Sequence, residues 1–404
     1  ELEPGAHSAR VTGAMTGFLP VQAGNAALIA AMSDAAIRIV SLTVTEGGYY
    51  IDPKTGTFSP DHPDIRKDAA NPGAPDTAFG AIIAALKARK AAGVQPFTVM
   101  CCDNVPHNGH VTRDAVVGLC RLSDPALADW IAANVAFPNS MVDRITPATG
   151  DRERAMARSM GVDDAWPVTC EPFRQWVVED NFPAGRPALE KVGVTFTPHV
   201  DKFETMKIRI LNGGHAIIAY PGGLLDIELV HDAMEHPVIR AFLDAVETRE
   251  ILPILPPVPG QNLGDYKNLI VDRFSNPDVA DTVRRLCLDG SNRQPKFIVP
   301  SILDNRAKGA VPDGLILASA MWCRYCAGVS EAGRAIAPND PNWDRLVARA
   351  KAAKESPGEW LAMTEVYGDL GQAKAVADRF SVILRAVWAE GCQPVMQRYI
   401  DGQL

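Results

Sequence analysis

The chain has 404 residues, enough to bury a large core and, at about 100 to 200 residues per domain, to form two domains. Hydrophobic residues make up 47% and charged residues 22%, which excludes a disordered or fibrous chain. A net charge of -8 from scattered lysines, arginines and carboxylates leaves no basic stripe for a phosphate backbone, so no nucleic-acid partner is expected and a small molecule is the default ligand.

No stretch approaches the roughly 20 apolar residues that a bilayer span needs, and the opening ELEPGAHSAR lacks the basic start and apolar run of a signal peptide. The expectation is a cytoplasmic protein with no membrane partner, a monomer or small oligomer. Eight cysteines in a chain of this length read as reduced thiols and not as a disulfide framework.

In chain order, AGNAALIAAM reads as an ordinary surface helix with one glycine. A dinucleotide fold normally opens with a strand, a GxGxxG turn and a helix whose N-terminus takes the pyrophosphate. Nothing before Ile37 supplies that pattern, so a nucleotide domain lacking its first part is expected. The β-branched run from Ile37 to Val44 stops at Gly47 and Gly48, as a buried parallel strand followed by a loop does. Helix formers from Asp76 to Ala92 end at Gly93, and PFTVMCCD supplies the next strand. Strand, helix and strand in this order predict a doubly wound α/β domain that binds ligands at the carboxyl ends of its strands. Thr43, Thr45, Glu46 and Asn104 stand at such ends and are candidate cofactor contacts.

After about Gly193 helical patterns take over. The first runs from near Pro198 to about Tyr220, VADTVRRLCLD closes at Gly290, and another spans about Val311 to Ala327. The predicted fold class is therefore α/β plus all-α: an incomplete Rossmann-like nucleotide domain over residues 1–196, followed by a mainly helical substrate domain over 197–404. Cys323 and Cys326 have the CxxC spacing of zinc sites but lie in a helical run with no second pair. They read as two thiols one helical turn apart, and no metal is expected.

The strongest local signal is FETMKIRILNGGHAIIAY. At about 100° per residue from Lys207, Glu204 falls near 60°, His215 near 80° and Asn212 near 140°, so four polar side chains share one helix face. Neighbouring isoleucines predict that this helix is buried, and burial disfavours the charged lysine, moving it toward use as a general base on an alcohol. Gly213 and Gly214 each cost about 1 kcal/mol inside a helix, which points to close approach by a ligand or another backbone. The same spacing also suits a Lys and Glu pair one turn apart, a buried histidine and a glycine pair at a helix crossing; spacing leaves both readings open. Alcohol oxidation needs donors around the developing oxyanion, and Asn212, Asn104 and His215 are of the right type. Further hydroxyls call for charged partners, for which Asp143, Arg285 and Arg293 are candidates, although singly each such residue is more often structural.

Six ordered blocks, SLTVTEGGY, FTVMCCDNVPHNG, FPNSMVDRITP, DDAWPVTCEPFRQWVVED, ETMKIRILNGGH and VDRFSNPDVADTVRRLCLDGS, resemble the polyol-specific long-chain dehydrogenase/reductase family, of the mannitol 2-dehydrogenase-like type, over nearly the whole chain. The resemblance implies a zinc-independent oxidoreductase that interconverts a sugar alcohol of the mannitol or arabinitol type and its ketose with NAD or NADP. It implies Lys207 as general base, Asn212 and Asn104 as oxyanion-stabilising amides and His215 as the residue orienting substrate and base. Glu204 would help the lysine exchange its proton with solvent, and Asp143 and Arg285 would contact substrate. Arg293 stands where mannitol dehydrogenases carry lysine. Its planar fork and permanent charge can admit an acidic group, so a hexuronate-type reductase acting on fructuronate or tagaturonate is the alternative. A non-catalytic truncated form is a second one, since the resemblance joins the family pattern only after the expected phosphate loop.

Overall fold

The computed structural model describes all residues except 53 and 54, together with the side chain of Glu46. The described residues form seven short strands: β1 (Leu2–Glu3), β2 (Ala6–His7), β3 (Ile39–Leu42), β4 (Thr98–Cys101), β5 (Ser140–Asp143), β6 (Gln175–Val178) and β7 (Thr195–Phe196). The chain divides into two compact units. One comprises Ala9–Arg144 and Phe173–Glu204, the other Glu1–Ser8, Ile145–Pro172 and Thr205–Leu404.

In the first unit β3 pairs in parallel with β4, Ile39 opposite Thr98 and Leu42 opposite Cys101. The crossover between them holds the helices Pro63–Ala70 and Ala78–Ala91. The second of these starts where the Thr77 side chain accepts the Gly80 N–H at 3.0 Å, satisfying one of the donors left over at a helix start. Phe79, Ile82 and Leu86 on it pack with Val99, Cys101 and Leu119 into one core, and fully burying each large apolar side chain contributes about 1.5 to 3 kcal/mol. The helix Ala26–Ser33 lies against Ala78–Ala91, so the segment ahead of β3 belongs to the helical layer of this domain. β5 runs antiparallel to β6, which is parallel to β7. Asn108 stitches β5 to the helix Asn108–Ser123: its amide donates to the Ser140 carbonyl at 2.8 Å, and its side-chain oxygen accepts the Ser140 N–H at 2.8 Å.

The second unit is built around the helix Gly213–Leu224, which is buried along most of its length and packs against Val283–Cys287, Asp313–Tyr325 and Pro237–Val246. A helix apolar on all sides belongs at the centre of a bundle. The stretch Ile145–Pro172 is tied to it by the buried pair of Arg273 and Glu171, with Nε to Oε2 at 2.9 Å and Nη2 to Oε1 at 2.7 Å. Glu171 Oε1 also accepts the Ile145 N–H at 2.6 Å. No helix among the described residues is long and apolar enough to cross a membrane.

One local expectation differs. The predicted single helix from Pro198 to Tyr220 is an α-helix over Val200–Lys207, a π-helical turn over Ile208–Asn212 and an α-helix over Gly213–Leu224. The Gly213 N–H donates to the Ile208 carbonyl five residues back, so the uniform 100° progression does not hold across this turn.

Candidate functional site

Lys207 ends the first α segment and is 7% exposed; Asn212 ends the π turn. Because π-turn hydrogen bonds run from i to i+5, residues five apart stand above one another. The turn therefore carries Asn212 from roughly 140° off Lys207 in a regular helix toward the lysine's own face. His215 follows three residues later, on the same side as Asn212. Single π turns of this kind are frequent at functional sites.

His215 stacks on Phe274, ring centres 4.2 Å apart, and its Nε2 is buried without a hydrogen-bond partner. Its pKa is pushed well below the ordinary histidine value, first by burial and then by the positive charges of Arg285, Arg273 and Arg293. Both causes favour the neutral imidazole over its charged form.

The two candidate substrate arginines are engaged within the protein. Arg285 is held by both oxygens of Asp281, four residues earlier, through its Nε and Nη2. This pair raises its pKa further. Arg293 Nη1 donates to the carbonyls of Arg285 at 3.2 Å and Leu286 at 2.9 Å, closing the end of the short helix Val283–Cys287.

Gly213 and Gly214 admit protein groups. A Cβ on Gly214 would lie 2.9 Å from Glu247 Oε1 and 3.3 Å from the Phe274 ring, while one on Gly213 would meet the Phe297 carbonyl at 3.5 Å. Glu247 opens a second π turn, Glu247–Ile251, which touches the first. It is fully buried, and neither carboxyl oxygen has a hydrogen-bond partner. Burial drives its pKa well above the usual carboxyl range. Sequence reasoning passed over Glu247, although a signal was present: it lies four residues after Leu243, on the apolar face formed with Ile239 and Val246.

In the other unit, the loop after β3 carries Thr43 and Thr45, both exposed, and the one-turn helix Glu46–Tyr49. The Glu46 side chain lies outside the described residues. Thr45 adopts φ 65°, a left-handed value that a β-branched residue takes only when its surroundings impose it. Asp103, which the sequence reading also missed, does so. Its carboxylate accepts the N–H groups of Val44 at 2.8 Å and Thr45 at 3.3 Å and the Tyr49 hydroxyl at 2.5 Å. Next to this latch, Asn104 is exposed beyond the end of β4, and Asp143 is buried at the end of β5. Glu204 is buried, and its Oε2 accepts the His107 N–H at 3.3 Å. The geometry thus gathers Lys207, Asn212 and His215 on one helix, with the guanidiniums of Arg285 and Arg293 close enough to act on His215. It sets Thr43, Thr45 and Asn104 at the strand ends of the α/β unit.

Cys323 and Cys326 are free, buried thiols pushed well above their usual pKa by burial. Among the described residues no group of three or more histidine, cysteine or carboxylate side chains is arranged to hold a metal ion.

Family profiles match the chain in two consecutive parts. The profile described as Mannitol dehydrogenase Rossmann domain matches residues 1–191, and that described as Mannitol dehydrogenase C-terminal domain matches residues 199–388. The mannitol 2-dehydrogenase of Cereibacter sphaeroides is 66% identical over 400 residues, covering 99% of this chain and 84% of that protein. A ternary complex of Pseudomonas fluorescens mannitol 2-dehydrogenase with NAD and D-mannitol superposes with a TM-score of 0.81 at 43% identity, over 93% of this chain and 77% of that one. A substrate-free D-sorbitol dehydrogenase gives a TM-score of 0.85 at 34% identity, over 92% and 77%. These matches correct the expectation of an incomplete nucleotide domain lacking its N-terminal glycine-rich part. The Rossmann match runs from residue 1, the segment before Ile37 included, so the fold class is an α/β Rossmann domain followed by a mainly helical domain. The physical reason is the helix Ala26–Ser33, which packs into the layer on Ala78–Ala91 whether or not a GxGxxG string precedes it.

Proposed function

Since the chain belongs to the mannitol dehydrogenase family, we propose that it is an NAD-dependent oxidoreductase interconverting a sugar alcohol of the mannitol type and the corresponding ketose. The observation that carries the reading is Lys207, buried one π turn before Asn212 and the central helix of the C-terminal domain. In this reading the Lys207 amine takes the hydroxyl proton of the reacting carbinol. The Asn212 and Asn104 amides donate to the oxygen on which charge develops. His215, neutral and stacked on Phe274, orients the hydroxyl and the amine, and Glu204 passes the proton on. Asp143, Arg285 and Arg293 bind the remaining hydroxyls.

The strand-end loop of the α/β unit fits a nicotinamide coenzyme: Thr43, Thr45 and Asn104 offer exposed polar groups where such folds bind ligands, on a backbone held by Asp103. A bound nicotinamide coenzyme would supply the acceptor for the hydride of the carbinol carbon. The reading needs no metal, because Lys207 supplies the base. It extends to a cytoplasmic enzyme, a monomer or small oligomer.

Titrating NADH by fluorescence and comparing turnover of mannitol, arabinitol, sorbitol and fructuronate tests the proposal. Turnover of a sugar alcohol supports it, and activity on the sugar acid alone transfers the assignment to a hexuronate reductase. Lys207→Ala is expected to lower kcat by about 10²- to 10⁴-fold at neutral pH while NADH binding and the circular dichroism spectrum stay unchanged. Undiminished turnover would remove Lys207 from the mechanism.

A further inference from the structure

His215 is not the only histidine of the helical unit with a buried ring nitrogen lacking a partner. His231 Nδ1 is the other, and both side chains line the same small cavity, together with Arg273, Asn276 and Asp281. The cavity volume is about 10 Å³, at the lower limit of what one water requires, and polar cavities of that size hold a water that makes two to four hydrogen bonds. The two nitrogens do not bond each other directly, so a bridging group is needed to satisfy both. Leaving either buried atom unpaired is unfavourable.

The walls are set by tertiary bonds. His231 lies on the short helix Val230–Glu235, whose first residue donates its N–H to the Asp281 carbonyl at 2.9 Å, and Val283 returns a bond to the Glu228 carbonyl at 2.9 Å. This docks the His231 segment beside the one that carries Arg285. The other ring nitrogen of His231, Nε2, lies 3.2 Å from Asp232 Oδ1, and Asp232 is about half exposed. When Nε2 carries the proton toward the carboxylate, Nδ1 is an acceptor, on a side chain that lines the cavity.

We propose that the cavity holds one ordered water that donates to His231 Nδ1 and bonds His215 Nε2, making His231 a positioning residue for His215. His231 then sets the ring orientation and tautomer of His215 from behind, anchored at the surface by Asp232. The kinetic consequence rests on the polyol dehydrogenase reading, whereas the water and the coupling between the two rings do not.

The test uses the full chain in three forms: wild type, His231→Leu, which removes the acceptor, and His231→Asn, whose side-chain oxygen can occupy the place of Nδ1. In protein labelled with ¹⁵N-histidine, His231→Leu should shift the His215 Nε2 resonance and change its tautomer signature, and His231→Asn should restore both. A high-resolution crystal structure should show one water within hydrogen-bonding distance of both nitrogens. With an active polyol substrate, His231→Leu should lower kcat about ten-fold with the KM for coenzyme unchanged, and His231→Asn should recover to within about three-fold of wild type. An unmoved His215 resonance in a folded His231→Leu protein, or a dry cavity, overturns the proposal. Absence of polyol turnover in the wild type sinks the functional reading alone and leaves the resonance experiment decisive for the water.

Discussion

Two buried acidic side chains, Asp68 in the α/β unit and Glu247 in the helical unit, are accommodated in opposite ways. In the α/β unit Asp68 is 3% exposed, and its carboxylate accepts three bonds: from the Asp76 N–H at 2.8 Å, the Thr77 N–H at 2.9 Å and the Thr77 hydroxyl at 2.6 Å. In the helical unit Glu247 is 0% exposed and accepts none. A buried polar group with its bonds made fixes a loop to a helix start, whereas one without them is kept neutral by the cost of burying charge. Asp68 is thus part of the scaffold. Glu247 sits against Gly214 between the two π turns, behind the helix that carries Lys207, where the packing tolerates an unsatisfied group.

Glu171 gives the contrast its largest test, because it is buried like Glu247 yet paired with the buried Arg273. Removing one partner leaves an uncompensated buried charge, so Glu171→Ala should cost about 3 to 5 kcal/mol in urea unfolding. A loss below about 1 kcal/mol would mean that the guanidinium finds other partners. Asp68→Ala should cost less, about 2 to 3 kcal/mol, through the donors it leaves unbonded at the start of Ala78–Ala91; a neutral effect would show that water replaces the carboxylate.

Glu247→Gln should have the smallest effect and the opposite sign. The folded-state pKa of Glu247 is raised, so its contribution to stability is fully present below the unfolded carboxyl value near 4.5 and is lost as pH rises through the folded value. Glutamine does not titrate. The variant and the wild type should therefore melt together near pH 4, and the variant should gain steadily above it. Melting curves that run parallel from pH 4 to pH 9 would show that Glu247 is not the neutral acid inferred here.

Much of this was legible in the residues. Val and Ile runs marked β3 and β4, helix formers closed by Gly93 marked Ala78–Ala91, and the polar stripe from Glu204 to His215 marked the candidate site. The corrections came where a local pattern was read too literally. The absent GxGxxG string was taken as an absent half-domain, whereas the Rossmann match includes those residues and packing between helix layers does not depend on the glycine pattern. For the glycine pair, which spacing left open between close approach by a ligand or backbone and packing at a helix crossing, the neighbours are protein groups: the Phe297 carbonyl at Gly213, and the Glu247 carboxyl and the Phe274 ring at Gly214.

By itself the sequence determined the strands β3 and β4, the helix Ala78–Ala91 and a helical segment carrying lysine, asparagine and histidine, because periodicity and residue type are local properties of the chain. Only the tertiary structure decided the π turn that turns Asn212 toward Lys207, the buried ion pair of Arg273 and Glu171 and the cavity shared by His215 and His231. Each depends on contacts between residues far apart in the chain or on a choice of hydrogen-bond register. A five-residue turn replaces a four-residue one only when the surrounding side chains make the change worthwhile, and no single segment encodes its neighbours.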